Sequence, residues 1–156
     1  MTELPALNWI IDFLETEHIP YVVCGGLAAQ IYGSRRNLND IDIFVHSDYF
    51  ASAVKFGESY LTFGPKLHKG EQWDLTYAKF TYNGQDIEIC SDKECKIMDS
   101  RKSKWVDLYV DFQNYERHHI YGVSVKVMNK VEFVKYKRQL SRNVDIEDIT
   151  QINERV

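Results

Sequence analysis

The chain has 156 residues, of which 44% are hydrophobic and 27% are charged, and its net charge is −4. These values predict a single folded domain over residues 1–156 and argue against intrinsic disorder. The negative charge argues against broad nucleic-acid binding, because proteins that neutralise many phosphates carry a basic surface.

The sequence also favours a cytoplasmic protein without a membrane partner. No apolar run approaches the roughly 20 residues of a membrane-spanning helix. The N-terminal residues are acidic, whereas a signal peptide begins with basic residues and an apolar stretch. The three cysteines form no disulfide framework, and Cys90 with Cys95 lack the second ligand pair that a structural zinc site needs.

Hydrophobic periodicity in the first sixty residues predicts helices alternating with short strands. In chain order these are a helix over 4–17, a strand over 21–24, a helix over 27–32, a strand over 40–45 and a helix over 48–60 with Ser47 as its N-cap. Gly25-Gly26 ends the first strand, and residues 33–39 are a polar loop.

A hairpin is the clearest local signal in the second half of the chain. Strands over 75–82 and 85–90 are joined by Asn83-Gly84, which suits a type I′ turn because both central residues need a positive φ. Residues 91–115 show no pattern that we can assign. The remaining predicted elements are a strand over 121–128 and helices over 130–140 and 145–154. The expected fold class is α+β.

Two aspartates form the first candidate site. Asp40 and Asp42 are two residues apart on a predicted strand, so both side chains project from the same face. Carboxylates that close repel each other unless a cation lies between them, and oxygen ligands of this kind suit Mg²⁺. A pair of solvated carboxylates at a strand edge is the alternative. Gly25-Gly26, between a strand and a helix, could present backbone N–H groups to an anion or be only a tight turn.

The order of these features resembles a known signature. The segment VVCGGLAAQIYGSRRNLNDIDIFV is similar to the motif of the nucleotidyltransferase superfamily with the DNA polymerase β-like fold, which includes antibiotic and minimal bacterial nucleotidyltransferases. The positions that match the motif are Gly25, Gly26, Asp40 and Asp42. Arg36 stands where many bacterial relatives have an arginine, whereas Leu38 replaces a frequent small hydroxyl residue.

The resemblance also implies a third carboxylate on a later strand. Glu88, in the run Ile87-Glu88-Ile89, is the expected residue, and Asp86 on the same strand face is its competitor. The two-residue hairpin loop would place Glu88 opposite Lys79, and such a cross-strand ion pair contributes only about 0.2–1 kcal/mol. The two roles are compatible if Lys79 lines the site.

The C-terminal stretch FVKYKRQLSRNVDIEDI resembles the helix pair that follows the sheet in small bacterial members. Lys137 lies three or four residues from Phe133, Val134 and Leu140, so it shares the apolar face of its helix. A lysine in that position either extends its charged end to the edge of the apolar face or meets a buried anion. Sequence reasoning leaves two partners open, the triphosphate of a nucleotide or an aspartate of the last helix, Asp145 or Asp148.

The resemblance implies an α+β fold with a short mixed sheet, carboxylates on one face and helices packed on the other. It implies an enzyme that moves a nucleoside monophosphate from a nucleoside triphosphate, with ATP as the expected nucleotide, to a hydroxyl acceptor. The implied catalytic and metal-binding residues, for Mg²⁺ or Mn²⁺, are Asp40, Asp42 and Glu88. The implied nucleotide-binding residues are Gly25, Gly26, Ser34, Arg36 and Lys137.

The acceptor is left open by the sequence. It could be a small molecule such as an antibiotic, or a protein or RNA partner. Its pocket is expected from residues 60–125 or from the second subunit of a homodimer. The alternative function is a nucleotide-binding regulatory protein with little turnover, for example a toxin–antitoxin component.

Overall fold

The computed structural model describes residues 4–154, which form five α-helices and nine β-strands. The helices are α1 Pro5–Thr16, α2 Gly25–Tyr32, α3 Ser47–Phe56, α4 Lys130–Leu140 and α5 Asn143–Glu154. The strands are β1 Tyr21–Cys24, β2 Asp40–Val45, β3 Leu61–Lys69, β4 Trp73–Tyr82, β5 Gln85–Ser91, β6 Lys96–Asp99, β7 Lys104–Asp107, β8 Tyr115–Ile120 and β9 Val123–Met128. Within this range no helix has the length and apolarity needed to cross a membrane.

All nine strands belong to one mixed sheet, and the expected α+β class is confirmed. The strand order is β7-β6-β4-β5-β2-β1-β9-β8. Strand β3 lies outside this order and also pairs with β4. Strand β2 is parallel to β5 and antiparallel to β1, and β1 is parallel to β9. The strand that carries both motif aspartates therefore lies near the middle of the sheet.

Alternation along β2 separates the core from the site. Ile41 and Ile43 are fully buried on one face, where α1 packs with its own apolar residues. Asp40 and Asp42 project from the other face. There α4 brings the ring of Tyr136 to within 6.0 Å of the ring of Trp73. The expected mixed sheet is confirmed, and with nine strands it is larger than the short sheet predicted.

The predicted hairpin between β4 and β5 is confirmed in its turn and its register. Asn83 has a φ of 50° and Gly84 a φ of 81°, as a type I′ turn requires. Lys79 lies directly opposite Glu88, as the loop length predicts. The predicted cap of α3 is wrong by one residue, since the cap is His46, whose Nδ1 accepts a hydrogen bond from the backbone N–H of Asp48.

Candidate active site

Three carboxylates lie together on the face of β2 and β5 that borders a cavity. Because the two strands are parallel and in register, Asp42 is the direct neighbour of Glu88, and Asp40 is the neighbour of Asp86. Asp40, Asp42 and Glu88 all line a cavity of 390 Å³. The structure therefore brings the three predicted acids to one site, where they share the floor of the cavity.

The position of Asp42 is electrostatically unfavourable for a negative charge. Burial in the floor of the cavity raises the pKa of its carboxyl well above the ordinary value, and the charges of Glu88 and Asp40 raise it further. The positive charge of Lys137 acts in the opposite direction but does not compensate. An acid group in this state gains from a cation that replaces its proton.

Glu88 and Asp86 have different surroundings. Glu88 lines the cavity and its Oε1 lies 3.7 Å from the Nζ of Lys79, so both roles considered for it are geometrically open. Asp86 lies outside the cavity lining and accepts a hydrogen bond of 2.6 Å from the hydroxyl of Thr81. The geometry favours Glu88 over Asp86 as the partner of Asp42.

The glycine turn is fitted closely to Asp42. Gly25 has a φ of +60°, and a Cβ atom there would lie 2.1 Å from Oδ2 of Asp42. Its backbone N–H donates to the hydroxyl of Tyr136 at 3.3 Å. A Cβ at Gly26 would lie 3.4 Å from Nη1 of Arg36. Both glycines line the cavity, and the first lets the backbone pass directly beside the carboxylate.

The predicted nucleotide-binding side chains converge on Asp148. Its Oδ1 accepts from the Ser34 hydroxyl at 2.8 Å and from Nε of Arg36 at 2.7 Å. Its Oδ2 accepts from Nη2 of Arg36 at 2.9 Å and from Nζ of Lys137 at 2.8 Å. Ser34 is buried and lies outside the cavity lining, so its hydroxyl faces Asp148 and not the cavity. Arg36 and Lys137 do line the cavity.

Lys137 has the partners that the sequence offered as the alternative to triphosphate. Its Nζ donates to Asp145 at 2.9 Å as well as to Asp148, and only 2% of its side chain is exposed. Burial alone would raise the pKa of Asp145, but hydrogen bonds from Arg142 and the charge of Lys137 hold it below its ordinary value. The ammonium group is thus neutralised inside the protein while still bordering the cavity.

Arg142 belongs to the C-terminal stretch that resembles the family's helix pair, but sequence reasoning gave it no role in the site, and the structure places it in the cavity lining. It binds Asp145 through Nε at 2.7 Å and Nη2 at 3.0 Å, and 37% of its side chain is exposed. Its match to the family's C-terminal pattern was the available signal. Its spacing of three residues from Asp145 is common in surface helices and indicated no contact with a cavity.

Residues of strands β3 and β4 form another part of the cavity lining. They are His68, Trp73, Leu75 and Tyr77. This wall falls within residues 60–125, one of the two sources expected for an acceptor pocket. It is aromatic and apolar, in contrast to the cationic side formed by Arg36, Lys137 and Arg142.

The acids fit a hard divalent cation that keeps ligands from outside the protein. Within residues 4–154 no group of three or more His, Cys, Asp or Glu side chains is arranged to hold a metal ion. Mg²⁺ usually takes only one or two carboxylates and completes its shell with water and phosphate oxygens. The crowded Asp42–Glu88 pair beside Asp40 matches that requirement.

Comparisons with solved structures identify the fold. No protein-family model and no curated protein matches the sequence. A Thermotoga maritima protein assigned as a nucleotidyltransferase is 20% identical, with a TM-score of 0.71 over 97% of this chain and 92% of that chain. The lincosamide antibiotic adenylyltransferase LnuA, solved with lincomycin, is 12% identical, with a TM-score of 0.63 over 99% of both chains.

A third solved structure shares the same architecture. ANT(2″)-Ia, solved with adenylyl-2″-tobramycin, is 12% identical, with a TM-score of 0.61 over 96% of this chain and 87% of that chain. These similarities extend over nearly the whole of the described chain. The protein therefore has the nucleotidyltransferase fold that its sequence motif predicted.

Proposed function

We propose that this protein is a nucleotidyltransferase that uses Mg²⁺ or Mn²⁺ to move a nucleoside monophosphate from a nucleoside triphosphate to a hydroxyl group. The proposed nucleotide is ATP. The observation that carries the proposal is the Asp42–Glu88 pair on the floor of a cavity with a cationic side. A divalent cation would neutralise the Asp42–Glu88 pair, and anionic phosphates would neutralise the cationic side of the cavity. The same fold in two antibiotic adenylyltransferases supports this reading.

The carboxylates would then bind the divalent cation, and the glycines and basic side chains would bind the phosphates. Asp40, Asp42 and Glu88 would hold the divalent cation, which when bound supplies charge neutralisation and lowers the pKa of a nearby hydroxyl. The backbone of Gly25-Gly26 leaves room for phosphate beside Asp42. Arg36 and Lys137 would orient and neutralise the triphosphate.

The reaction requires an in-line displacement at the α-phosphorus. The acceptor oxygen forms a bond to phosphorus, the bond to the bridging oxygen breaks, and pyrophosphate leaves with the electron pair. Glu88 would accept the proton of the acceptor hydroxyl. With the leaving group on the side of Arg36 and Lys137, the attacking hydroxyl has to come from the side of β4 and β3.

The acceptor is proposed to be a small hydroxylated molecule with an apolar face. The wall formed by His68, Trp73 and Tyr77 suits such a face, and a cavity of 390 Å³ is within the range for small ligands. LnuA and ANT(2″)-Ia were solved with an antibiotic and an adenylylated antibiotic respectively. A cytoplasmic location, where ATP and Mg²⁺ are abundant, is part of the proposal.

The test combines binding and transfer. We expect Mg²⁺ with ATP to raise the melting temperature of the wild-type protein, since a ligand of the folded state stabilises it. With α-labelled ATP and a panel of hydroxylated small molecules, label should pass to an acceptor and pyrophosphate should be released. Asp42→Asn should remove most of both effects, whereas Asp12→Asn, an exposed residue of α1, should change neither.

Two results would contradict the proposal. Equal responses of the wild type and Asp42→Asn to metal and nucleotide would show that the site is wrong. Stabilisation by Mg²⁺ and ATP without pyrophosphate release, with every acceptor class including protein and RNA, would replace the enzyme by a nucleotide-binding regulatory protein.

A further inference from the structure

A second concave surface, which we call the aromatic groove, lies along α1. It has a volume of 710 Å³ and is lined by residues of α1 from its first turn to its last. The 12 residues of α1 span about 18 Å, which is the length of a three-turn helix. Aromatic side chains dominate the lining: Trp9, Phe13, Phe56, Tyr82 and Tyr121. The groove shares no residue with the lining of the active-site cavity, so nucleotidyl transfer does not explain it.

The rings of the aromatic groove hold one another in place. Trp9 stacks on Tyr82, with 4.5 Å between ring centroids, and on Phe56 at 5.0 Å. Phe56 stacks in turn on Phe13 at 3.9 Å. Trp9 also meets the fully buried ring of Phe80 edge-on at 6.2 Å, which joins the cluster to the core. Side chains that are already ordered lose little conformational entropy when a partner packs on them.

The aromatic cluster is only partly covered by the rest of the chain. Phe56 is 38% exposed, and Tyr60, whose ring lies 4.9 Å from that of Tyr82, is 44% exposed. Apolar residues that are exposed singly are normal, whereas a contiguous exposed group marks an interaction site. Aromatic residues are also enriched at the centre of protein interfaces, where they carry much of the binding energy. The groove therefore has the composition of a protein-binding surface.

The charges of the aromatic groove are negative. Asp12 and Glu17 are the only charged residues of its lining. Both are exposed, and neither forms an ion pair with a side chain of residues 4–154. Lys55 and Glu58 are exposed close to the cluster but outside the lining, and their charges offset each other. The groove thus combines ordered aromatic rings with two uncompensated negative charges.

We propose that the aromatic groove is the docking site for a basic amphipathic helix of a partner protein. Such a helix would place apolar residues at i, i+3, i+4 and i+7 on the rings, and lysine or arginine beside Asp12 and Glu17. A second copy of this chain does not suit the groove, because a symmetric contact between two grooves would bring like charges together. Docking is independent of the proposed function, since it uses none of the active-site residues.

The experiment uses a labelled model peptide of about four helical turns, with leucine at the i, i+3, i+4 and i+7 spacing and lysine elsewhere. Its twin has glutamate in place of every lysine. We expect the wild-type protein to bind the lysine peptide, measured by fluorescence anisotropy, and to bind the glutamate twin roughly tenfold more weakly or not at all. The affinity for the lysine peptide should fall as the salt concentration rises.

Matched variants locate the bound peptide. Phe56→Ser removes an exposed ring of the groove and should weaken binding of the lysine peptide roughly tenfold or more. Phe63→Ser is its control and should leave the affinity unchanged, because Phe63 is equally exposed, at 39%, and also stacks on a tyrosine, but lies outside the groove. Glu17→Lys reverses a charge of the lining, so it should weaken binding of the lysine peptide and strengthen binding of the glutamate twin.

Three results would overturn the proposal. If the wild type binds neither peptide, the groove does not accept a helix of this kind. If it binds both peptides equally, or if Glu17→Lys leaves both affinities unchanged, the acidic lining does not select a basic partner. If Phe56→Ser, shown to be folded by circular dichroism, binds the lysine peptide as the wild type does, the peptide lies elsewhere. Should Phe56→Ser not fold, the charge reversal at the exposed Glu17 decides alone.

Discussion

At the scale of single residues, the two readings of Glu88 make different predictions. As a metal ligand or base, Glu88 contributes to the transition state, so Glu88→Gln should lower turnover roughly a hundredfold or more. As a partner of Lys79 only, at 3.7 Å and partly exposed, it should affect stability by less than about 1 kcal/mol and leave turnover intact. Steady-state kinetics and thermal unfolding of the same variant measure both quantities.

Two matched variants control this experiment. Lys79→Met breaks the same ion pair without changing Glu88, so it should keep most of the activity. Asp86→Asn alters the competing acid, whose side chain can still accept the hydrogen bond from Thr81. An active Glu88→Gln together with an inactive Asp86→Asn would move the third carboxylate to Asp86.

Residue by residue, the sequence predicted the site best where one strand or one motif decided the geometry. The shared face of Asp40 and Asp42 follows from strand alternation alone. The pairing of Lys79 with Glu88 follows from the two-residue turn. The contact of Asp42 with Glu88 depends on which strands are neighbours in the sheet, and only the family resemblance supplied that information before the structure did.

At the scale of elements, the turn between β1 and α2 depends on the absence of a side chain at Gly25. Gly25→Ala would combine a strained positive φ with a Cβ that overlaps Oδ2 of Asp42 at 2.1 Å. We expect a larger loss of stability than the roughly 1–2 kcal/mol of a strained alanine. The displaced Asp42 should also lose the stabilisation by Mg²⁺ and ATP. Thermal unfolding with and without these ligands measures both effects.

Gly122→Ala is the matched control for that change. Gly122 has a similar φ of +77°, but nothing lies within 4 Å of the position of an added Cβ. This variant should show the strain cost alone, about 2–4 °C in melting temperature for each kcal/mol in a chain of this size, and should keep the ligand response. Equal losses at Gly25 and Gly122 would show that close packing against Asp42 has no effect.

Element boundaries were predictable where hydrophobic periodicity was strong. The strands over 21–24 and 40–45 and the helix over 130–140 agree with the structure residue for residue. Strands β3, β6, β7 and β8 were missed, because they lie at or near sheet edges and much of their surface is exposed. An exposed edge strand needs no regular apolar pattern, so sequence periodicity cannot reveal it. Strand β3 was therefore missed, although its His68 helps to form the aromatic wall.

At the scale of the whole molecule, the last helix is joined to the motif loop by buried charges. Ser34 and Arg36 precede β2, whereas Asp148 lies more than a hundred residues later in the chain. The sequence indicated that Lys137 needs an anion but could not choose between triphosphate and the aspartates. Helix spacing fixes the face of a residue and not the distance between two helices, so this contact required the tertiary structure.

This network predicts how stability depends on pH. Burial alone would raise the pKa of Asp148, but hydrogen bonds from Arg36 and Lys137, the charge of Lys137 and a bond from Ser34 hold it below its ordinary value, as Arg142 and Lys137 do for Asp145. At these two groups the folded protein then binds fewer protons than the unfolded chain at acid pH. The stability from these groups is present above the ordinary aspartate pKa, near 3.9, and is lost as the pH falls through the lowered values.

Asp148→Asn tests that dependence through a difference between two curves. At neutral pH the variant should be less stable than the wild type, because Arg36 and Lys137 lose a charged partner in the protein interior. Between about pH 5 and pH 3 the melting temperature of the variant should fall less steeply, so the curves approach each other. Glu15 and Glu116 also have lowered pKa values, but they are present in both proteins and cancel in the difference. Parallel curves over this range, recorded by circular dichroism, would show that the carboxylate of Asp148 is not held in its charged form by the network.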